Sequence, residues 1–143
     1  MPIVHWRDDY TVKVNIFDDH HKTLFNAINQ LYDTILERYE QDQTISPSET
    51  NAIQTAFDSL LHYTEYHFTA EEKELEYHAY PDYAQQKKAH DFFKNKIIAA
   101  MEAFKNSGEV EIELLEFLKR WLIDHILVLD RNYSGFLNSK GVT

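Results

Sequence analysis

The chain of 143 residues contains no cysteine and only three glycines and three prolines. The absence of cysteine excludes disulfides, iron–sulfur clusters and thiolate zinc sites, and it fits a reducing compartment. So few helix breakers favour long helices over a fold with many turns. The sequence also lacks an apolar run of about 18 residues and a basic-then-apolar leader. We therefore expect a soluble, cytoplasmic protein without a membrane segment.

Positive charge is scarce as well. Lysine and arginine number 14 against 24 aspartates and glutamates, which gives a formal net charge of −10. This balance disfavours nucleic acid and anionic membrane surfaces as partners, and no feature of the sequence indicates a protein partner. The length suggests a single domain over 1–143. The aromatic share of 14 % is high and provides large side chains for a core.

Apolar residues recur at helical spacing in four segments, and this pattern predicts four helices. Their expected bounds are about 19–39, 47–77, 82–106 and 110–137. Asp18 or Asp19 is a candidate N-cap for the first helix. Ser46-Pro47-Ser48-Glu49 forms a capping box with proline at the first helical position, after a polar loop over 40–46. Pro81 is expected to begin the third helix, and Gly108 to end it.

The residues before the first helix, 1–17, contain a short alternating pattern at Val12, Val14 and Ile16. Because no partner strand is evident elsewhere, we expect an extended N-terminal arm that packs on the helices. Four helices with short connections make sequence neighbours antiparallel. The expected fold is therefore all-α, an up-down-up-down antiparallel four-helix bundle.

One helix face in the second helix carries His67, Glu71 and Glu74, at positions i, i+4 and i+7. These side chains lie on one face, which continues an apolar stripe that begins near Ile53. Burying unpaired carboxylates in a bundle core is costly, by several kcal/mol each. Lysine and arginine are scarce nearby, so a metal cation is the expected partner of these carboxylates.

Each of the other three helices adds a histidine to its inward stripe: His21, His90 and His125. The four histidines lie alternately early and late in their helices, so an antiparallel bundle brings them to one level. Imidazoles and carboxylates without thiolates suit iron, manganese or zinc. More than one carboxylate among several histidines favours a site with two metals. The remaining histidines are expected to be structural or exposed: His5, His20, His62 and His78.

Asp130 is a further candidate ligand with an awkward position. It follows His125 by five residues, which places it about 140° away from that histidine on an ideal α-helix. A π-type turn between the two residues would bring Asp130 back to the inward face, and such turns are frequent at functional sites.

In this combination the residues resemble the hemerythrin family, specifically its single-domain bacterial members, over nearly the whole chain. The matching motifs are Asp18-Asp19-His20-His21-Lys22-Thr23-Leu24-Phe25 in the first helix, His67-Phe68 followed by Glu71-Glu72 in the second, Tyr80-Pro81 with His90 in the third, and Trp121-Leu122-Ile123-Asp124-His125-Ile126 with Asp130 in the fourth. Trp6 also suits the N-terminal arm of that family.

The resemblance implies two non-haem iron ions in the bundle core, joined by an oxo or hydroxo bridge. His21 and His67 would hold one iron, and His90 and His125 the other together with one more histidine. Glu71 and Asp130 would bridge the two irons, and dioxygen would bind at the iron with two histidines. Residues that match the oxygen pocket of the family are Leu24, Phe68, Trp121, Leu122 and Ile126. The implied function is reversible dioxygen binding for storage, delivery or sensing.

Two positions depart from the family pattern. Gln86 stands where the family has a ligand histidine, four residues before His90, and Glu74 stands where the family has an apolar residue. We infer that Glu74 replaces the lost histidine as an iron ligand. A carboxylate ligand would make the cluster more anionic and would stabilise Fe(III). The alternative function is therefore a di-iron oxidase or peroxide-consuming enzyme, and a third is an adaptor bundle with a structural metal.

Overall fold

The computed structural model describes residues 2–40 and 47–143, and every regular element in these ranges is helical. The elements are a 3-10 turn at Asp8–Tyr10, α1 at Asn15–Glu40, α2 at Pro47–Tyr77, α3 at Tyr83–Ser107, α4 at Ile112–His125, a π-helical turn at Ile126–Asp130 and α5 at Arg131–Ser139. Because α4, the π turn and α5 follow one another without a break, they form one long fourth helix.

The helices form the predicted four-helix bundle. Along the chain, α1 packs on α2 and α2 on α3, while α4 contacts both α1 and α3 and so closes the bundle. The prediction of an all-α bundle is confirmed. None of the described helices has both the length and the apolar character needed to cross a membrane.

The N-terminal arm lies against the bundle and buries Val4, Tyr10, Val12 and Val14. The carboxamide of Asn29 in α1 fixes its start: Oδ1 accepts hydrogen bonds from the backbone N–H groups of residues 3 and 4, each at 3.0 Å. These bonds satisfy backbone donors that would otherwise be buried without partners.

The first helix begins earlier than expected, at Asn15, so neither aspartate is its N-cap. Asp18 lies in the first turn instead, where its carboxylate accepts hydrogen bonds from the Val12 N–H at 2.9 Å and the Thr11 hydroxyl at 2.5 Å. Asp18, a candidate N-cap in the sequence, therefore binds the N-terminal arm to the first turn of α1. Sequence preference alone does not distinguish these two uses of a short acidic side chain.

The other boundaries lie within a few residues of those expected. Pro47 is the first residue of α2, while Ser46 of the expected capping box and the expected polar loop after residue 40 lie outside the described residues. α3 begins at Tyr83, two residues after Pro81. Gly108 follows α3 with φ 71°, and its N–H donates to the Phe104 carbonyl at 2.7 Å, as in a left-handed helix C-cap.

The core divides into an apolar end and a polar end. The late part of α1, the early part of α2, the late part of α3 and the early part of α4 meet at the apolar end. Fully buried side chains there are Leu31, Ile35, Ile53, Phe57, Ile97, Phe104 and Leu115. This packed layer contributes to the hydrophobic stabilisation of the bundle. It leaves the opposite end of the same stripes free to carry polar side chains.

Candidate metal centre

At the polar end, all four long helices contribute buried ionisable or amide side chains to one level of the core. Each is at most 5 % exposed: His21, His67, Glu71, Gln86, His90, His125 and Asp130. Their inward direction follows from the same helical stripes that bury the apolar residues. The structure thus brings together six of the seven metal ligands expected from the sequence, with Gln86 in addition and Glu74 excluded.

The first group of ligand atoms comes from α1, α2 and the end of the π turn. His67 Nε2 lies 2.8 Å from Glu71 Oε1, and His21 Nε2 lies 3.2 Å from Asp130 Oδ2. Ligand atoms of these four residues all lie within 4.8 Å of one another. Such a spacing is compatible with two imidazoles and two carboxylate oxygens around a single cation.

The second group comes from α3, α4 and the same aspartate. His125 Nε2 lies 3.0 Å from Asp130 Oδ1, and His90 Nε2 lies 3.6 Å from Glu71 Oε1. Each carboxylate therefore contacts one histidine of each group. This is the arrangement expected of two carboxylates that bridge a pair of cations.

The π turn explains how Asp130 reaches this position. Residues Ile126–Asp130 wind as a π-helix, which inserts one residue into the helical repeat and returns Asp130 to the inward face with no solvent exposure. The π-type turn suggested by the five-residue step from His125 is confirmed. After the turn, Tyr133 and Leu137 of α5 also point into the core.

Several polar atoms of the cluster are buried and form no well-aligned hydrogen bond in the described part of the chain, although the histidine and carboxylate atoms among them lie 2.8–3.6 Å apart. They are Nδ1 and Nε2 of His21, Nε2 of His67, His90 and His125, Oε1 of Glu71 and Gln86, Oδ2 of Asp130, and, outside the ligand set, the hydroxyl of Thr64. Buried polar atoms without partners are uncommon in native proteins, and each costs roughly 1–3 kcal/mol. Metal cations would engage the histidine and carboxylate atoms of this set, so the residues present fit a two-metal site.

The electrostatics of the protein groups point the same way. Burial, and after it the carboxylate of Asp130, raises the pKa of Glu71 to about 7. Burial, and then His21, lowers the pKa of His67 well below its usual value, which favours the neutral imidazole that binds metals. Burial opposes ionisation of Asp130, yet His125 and His21 hold its pKa well below its usual range. The Glu71 carboxylate thus lacks full compensation from protein cations.

Two histidines of the cluster are each oriented by a second polar side chain. His67 Nδ1 lies 2.9 Å from Nδ1 of His20, and His90 Nδ1 lies 2.7 Å from Glu72 Oε2. Burial, and then His67, lowers the pKa of His20 to about 4, so His20 is neutral and can accept a hydrogen from His67. Because both contacts use Nδ1, Nε2 of His67 and Nε2 of His90 remain available for a metal.

Tyr133 is a site residue that the sequence reasoning missed. Its hydroxyl donates a hydrogen bond of 2.5 Å to Glu71 Oε2, and its ring is fully buried. The signal was present in the sequence, because Tyr133 follows Asp130 by three residues and so shares its face of the helix. Glu72 was noted only as part of a motif, and its contact with His90 depends on how α2 and α3 pack.

Replacing Tyr133 with phenylalanine is expected to weaken metal binding about tenfold or more, since it leaves the outer oxygen of Glu71 without a donor. The aromatic ring stays in place, so the helical circular dichroism should be retained. Competition with a chelator measures the effect. Tyr77→Phe, at an 82 % exposed position of α2, is the matched control. Equal retention of metal by the two variants would contradict a role for the hydroxyl.

Glu74 lies outside the cluster, contrary to the sequence-based inference. Its side chain is 43 % exposed, and its carboxylate lies 3.5 Å from Nε2 of His78. The inward residue after Glu71 is Leu75, which is fully buried. On an α-helix Glu74 lies about 60° to one side of Glu71 and Leu75 about 40° to the other, and the packing of α2 selects the leucine. Glu74 therefore belongs to the rim of the bundle.

Aromatic side chains stack on both histidines of the second pair, His90 and His125. The Phe68 ring stacks on His90 with 3.8 Å between centroids, and the Trp121 ring stacks on His125 at 4.6 Å. The other residues of the expected oxygen pocket are buried: Leu24, Leu122 and Ile126. Apart from Trp121, which is only partly buried, these lining side chains have almost no solvent exposure.

A four-helix bundle whose core holds four histidines and two shared carboxylates defines a class of carboxylate-bridged, two-metal proteins. Residues 12–137 match the family described as the hemerythrin HHE cation binding domain. The chain belongs to the hemerythrin family, as its motifs predicted.

Known relatives align over most of the chain. It is 29 % identical to the bacteriohemerythrin of Methylococcus capsulatus over 133 residues, covering 92 % of this chain and 93 % of the relative. It is 27 % identical to the myohemerythrin of Sipunculus nudus, covering 92 % of each. Among solved structures, wild-type hemerythrin superposes with a TM-score of 0.78 at 28 % identity, covering 93 % of this chain and 96 % of that one.

Proposed function

We propose that the protein binds dioxygen reversibly at two non-haem iron ions in the core of its bundle. The observation that carries the proposal is the convergence, in a hemerythrin chain, of four unpartnered histidine Nε2 atoms on two buried carboxylates. His21 and His67 would hold one iron, and His90 and His125 the other. Glu71 and Asp130, each in contact with one histidine of each pair, would bridge them.

An iron pair, with an oxo or hydroxo bridge, supplies the two electrons that reversible dioxygen binding requires. The chain's own residues keep the site ready for it. Tyr133 holds the outer oxygen of Glu71, while His20 and Glu72 fix the rings of His67 and His90. These contacts place donor atoms before any ligand enters, which reduces the reorganisation that binding requires.

The apolar lining protects the oxygenated state. By their match to the oxygen pocket of the family, Leu24, Phe68, Trp121, Leu122 and Ile126 would form the pocket in which dioxygen is held. In the structure the Phe68 ring stacks on His90 and the Trp121 ring on His125. A dry pocket slows reactions in which water or a proton assists the loss of bound oxygen as a reduced species.

Leu122→Ala is expected to speed autoxidation about tenfold, or about 1.4 kcal/mol in the barrier, since it opens space for water one turn from His125. The decay of the visible band of the oxygenated protein in air measures the rate. Leu118→Ala makes the same change one turn earlier in α4, further from His125, where the side chain is also buried, and it controls for lost packing. If both variants decay at the wild-type rate, Leu122 does not protect the site.

The direct test of the proposal is a cycle of oxygenation. The reduced, iron-loaded protein is exposed to dioxygen, then to argon, and its visible absorption is followed. The proposal expects a band that appears with dioxygen, disappears under argon and returns on the next exposure. A band that forms once and cannot be reversed, with continued uptake of dioxygen, would refute reversible binding.

The alternative of a di-iron oxidase or peroxide-consuming enzyme relied on Glu74 as an extra anionic ligand. With the Glu74 carboxylate turned to His78, this reason no longer favours it. We also propose a cytoplasmic location, since a chain without cysteine fits a reducing compartment. Recovery of the protein outside the cytoplasmic fraction of its cells would contradict that location.

A further inference from the structure

Gln86 is the unexplained member of the polar cluster. It is 1 % exposed and lies on the inward stripe of α3, one turn before His90. Its Nε2 donates a hydrogen bond of 3.0 Å to Asp130 Oδ1, and its Oε1 is buried without any hydrogen-bond partner. A glutamine is costly to bury in this state, unless its free oxygen meets another group.

The contact with Asp130 fixes which way the carboxamide faces. If the amide were turned over, its oxygen would face the carboxylate oxygen, and two acceptors would oppose each other. The nitrogen therefore faces Asp130, and the oxygen is left free beside it. Because both atoms are bonded to the same carbon, Oε1 lies next to the aspartate that would bridge the metals.

We infer that Gln86 Oε1 is a metal ligand of the pair that contains His90 and His125. The inference rests on the proposed iron pair and adds one ligand to its second metal position. Apart from the Thr64 hydroxyl, the other cluster atoms without partners belong to the expected ligands. Of the two neutral oxygens, Gln86 Oε1 is the one whose side chain contacts Asp130. Glu74, the other candidate for this position, faces away from the cluster.

A carboxamide ligand has definite consequences for the site. It is neutral, so the ligands contribute only the two charges of Glu71 and Asp130, as they would with a histidine in its place. Its oxygen is a harder and weaker donor than an imidazole nitrogen. The metal beside Gln86 is thus held less tightly than its neighbour. At the same time, the amide N–H of Gln86 fixes the orientation of Asp130. Gln86 would therefore bind a metal through its oxygen and orient the bridging aspartate through its nitrogen.

Cobalt(II) binding to the metal-free, full-length protein tests the inference without relying on oxygen chemistry. Gln86→Leu removes both the oxygen and the N–H donor at similar volume. Gln86→Glu keeps an oxygen at the same reach but lacks the donor, and Gln86→His supplies an imidazole. Glu74→Gln is the matched control on the rim, where the carboxylate faces His78. Titration reports the number and affinity of Co²⁺ ions, and circular dichroism reports the fold.

The ligand role predicts that Gln86→Leu binds the second Co²⁺ at least tenfold more weakly than the wild type. Gln86→Glu and Gln86→His should bind both ions at least as tightly as the wild type, and Glu74→Gln should be unchanged. If Gln86→Glu binds the second Co²⁺ as weakly as Gln86→Leu does, Gln86 acts only as a donor to Asp130 and the inference is wrong. A loss of the second ion in Glu74→Gln, or none in Gln86→Leu, would also overturn it.

These outcomes are separable from those of the proposed function. If the wild type binds two metals and the variants show the expected pattern of Co²⁺ binding, but oxygenation is not reversible, the assignment of Gln86 is supported and the proposed function is wrong. If oxygenation is reversible but the variants show one of the contradicting patterns of Co²⁺ binding, only the assignment of Gln86 is wrong.

Discussion

Replacing Glu71 with alanine is expected to abolish most iron binding, with a loss of affinity of about a hundredfold or more. One oxygen of this carboxylate lies 2.8 Å from His67 Nε2 and 3.6 Å from His90 Nε2, so a single side chain serves both metal positions. Its loss also removes half of the negative charge that compensates the cations in the core. Iron content per folded chain, measured after reconstitution and desalting, reports the effect.

The control for this variant is Glu65→Ala, which removes a carboxylate from an exposed position of the same helix. It should bind as much iron as the wild type. Glu71→Gln separates charge from shape, because it keeps the volume and one oxygen but loses the negative charge. Full iron content in Glu71→Ala, with the fold retained, would show that this residue does not bridge the metals.

Removal of the iron is expected to lower the thermal midpoint of unfolding by on the order of 10 °C. A ligand that binds only the folded state, present at about a thousand times its Kd, stabilises that state by about 4 kcal/mol. In a domain of this size each kcal/mol shifts the midpoint by a few degrees. The physical source is the set of buried histidine and carboxylate atoms that have no hydrogen-bond partner of their own.

Differential scanning calorimetry of the same preparation, before and after chelation, measures this shift. The Glu71→Ala variant provides the control, because its midpoint should respond little to added iron. If chelation leaves the wild-type midpoint unchanged, the metals do not contribute to the stability of the bundle. Such a result would also imply that the unpartnered atoms find partners within the protein.

Much of the fold and of the site could be predicted from the sequence because both depend on helical periodicity. The inward stripes that bury Leu31 and Phe57 at one end also carry His21 and His67 at the other. Where a residue lies within about 40° of the centre of its stripe, its direction follows from counting alone. His90 and His125 belong to this group, and the structure places both in the cluster.

The residues whose position helical counting misplaced or left open depend on tertiary packing or on local irregularity. Glu74 lies at the edge of the stripe of α2, and only the packing of Leu75 decides that it faces His78. Asp130 reaches the site through a π turn, which the spacing suggested without fixing. Asp18 binds the N-terminal arm rather than capping α1, since two preferences of aspartate compete there.

The most direct test of the central claim is the stoichiometry of dioxygen uptake by the reduced protein. An anaerobic sample of known iron content is titrated with dissolved dioxygen, and free dioxygen is measured after each addition. We expect two irons per chain and an end point of one dioxygen per iron pair, with the dioxygen recovered under argon. A single iron per folded chain, or uptake that continues past this end point without recovery, would contradict it.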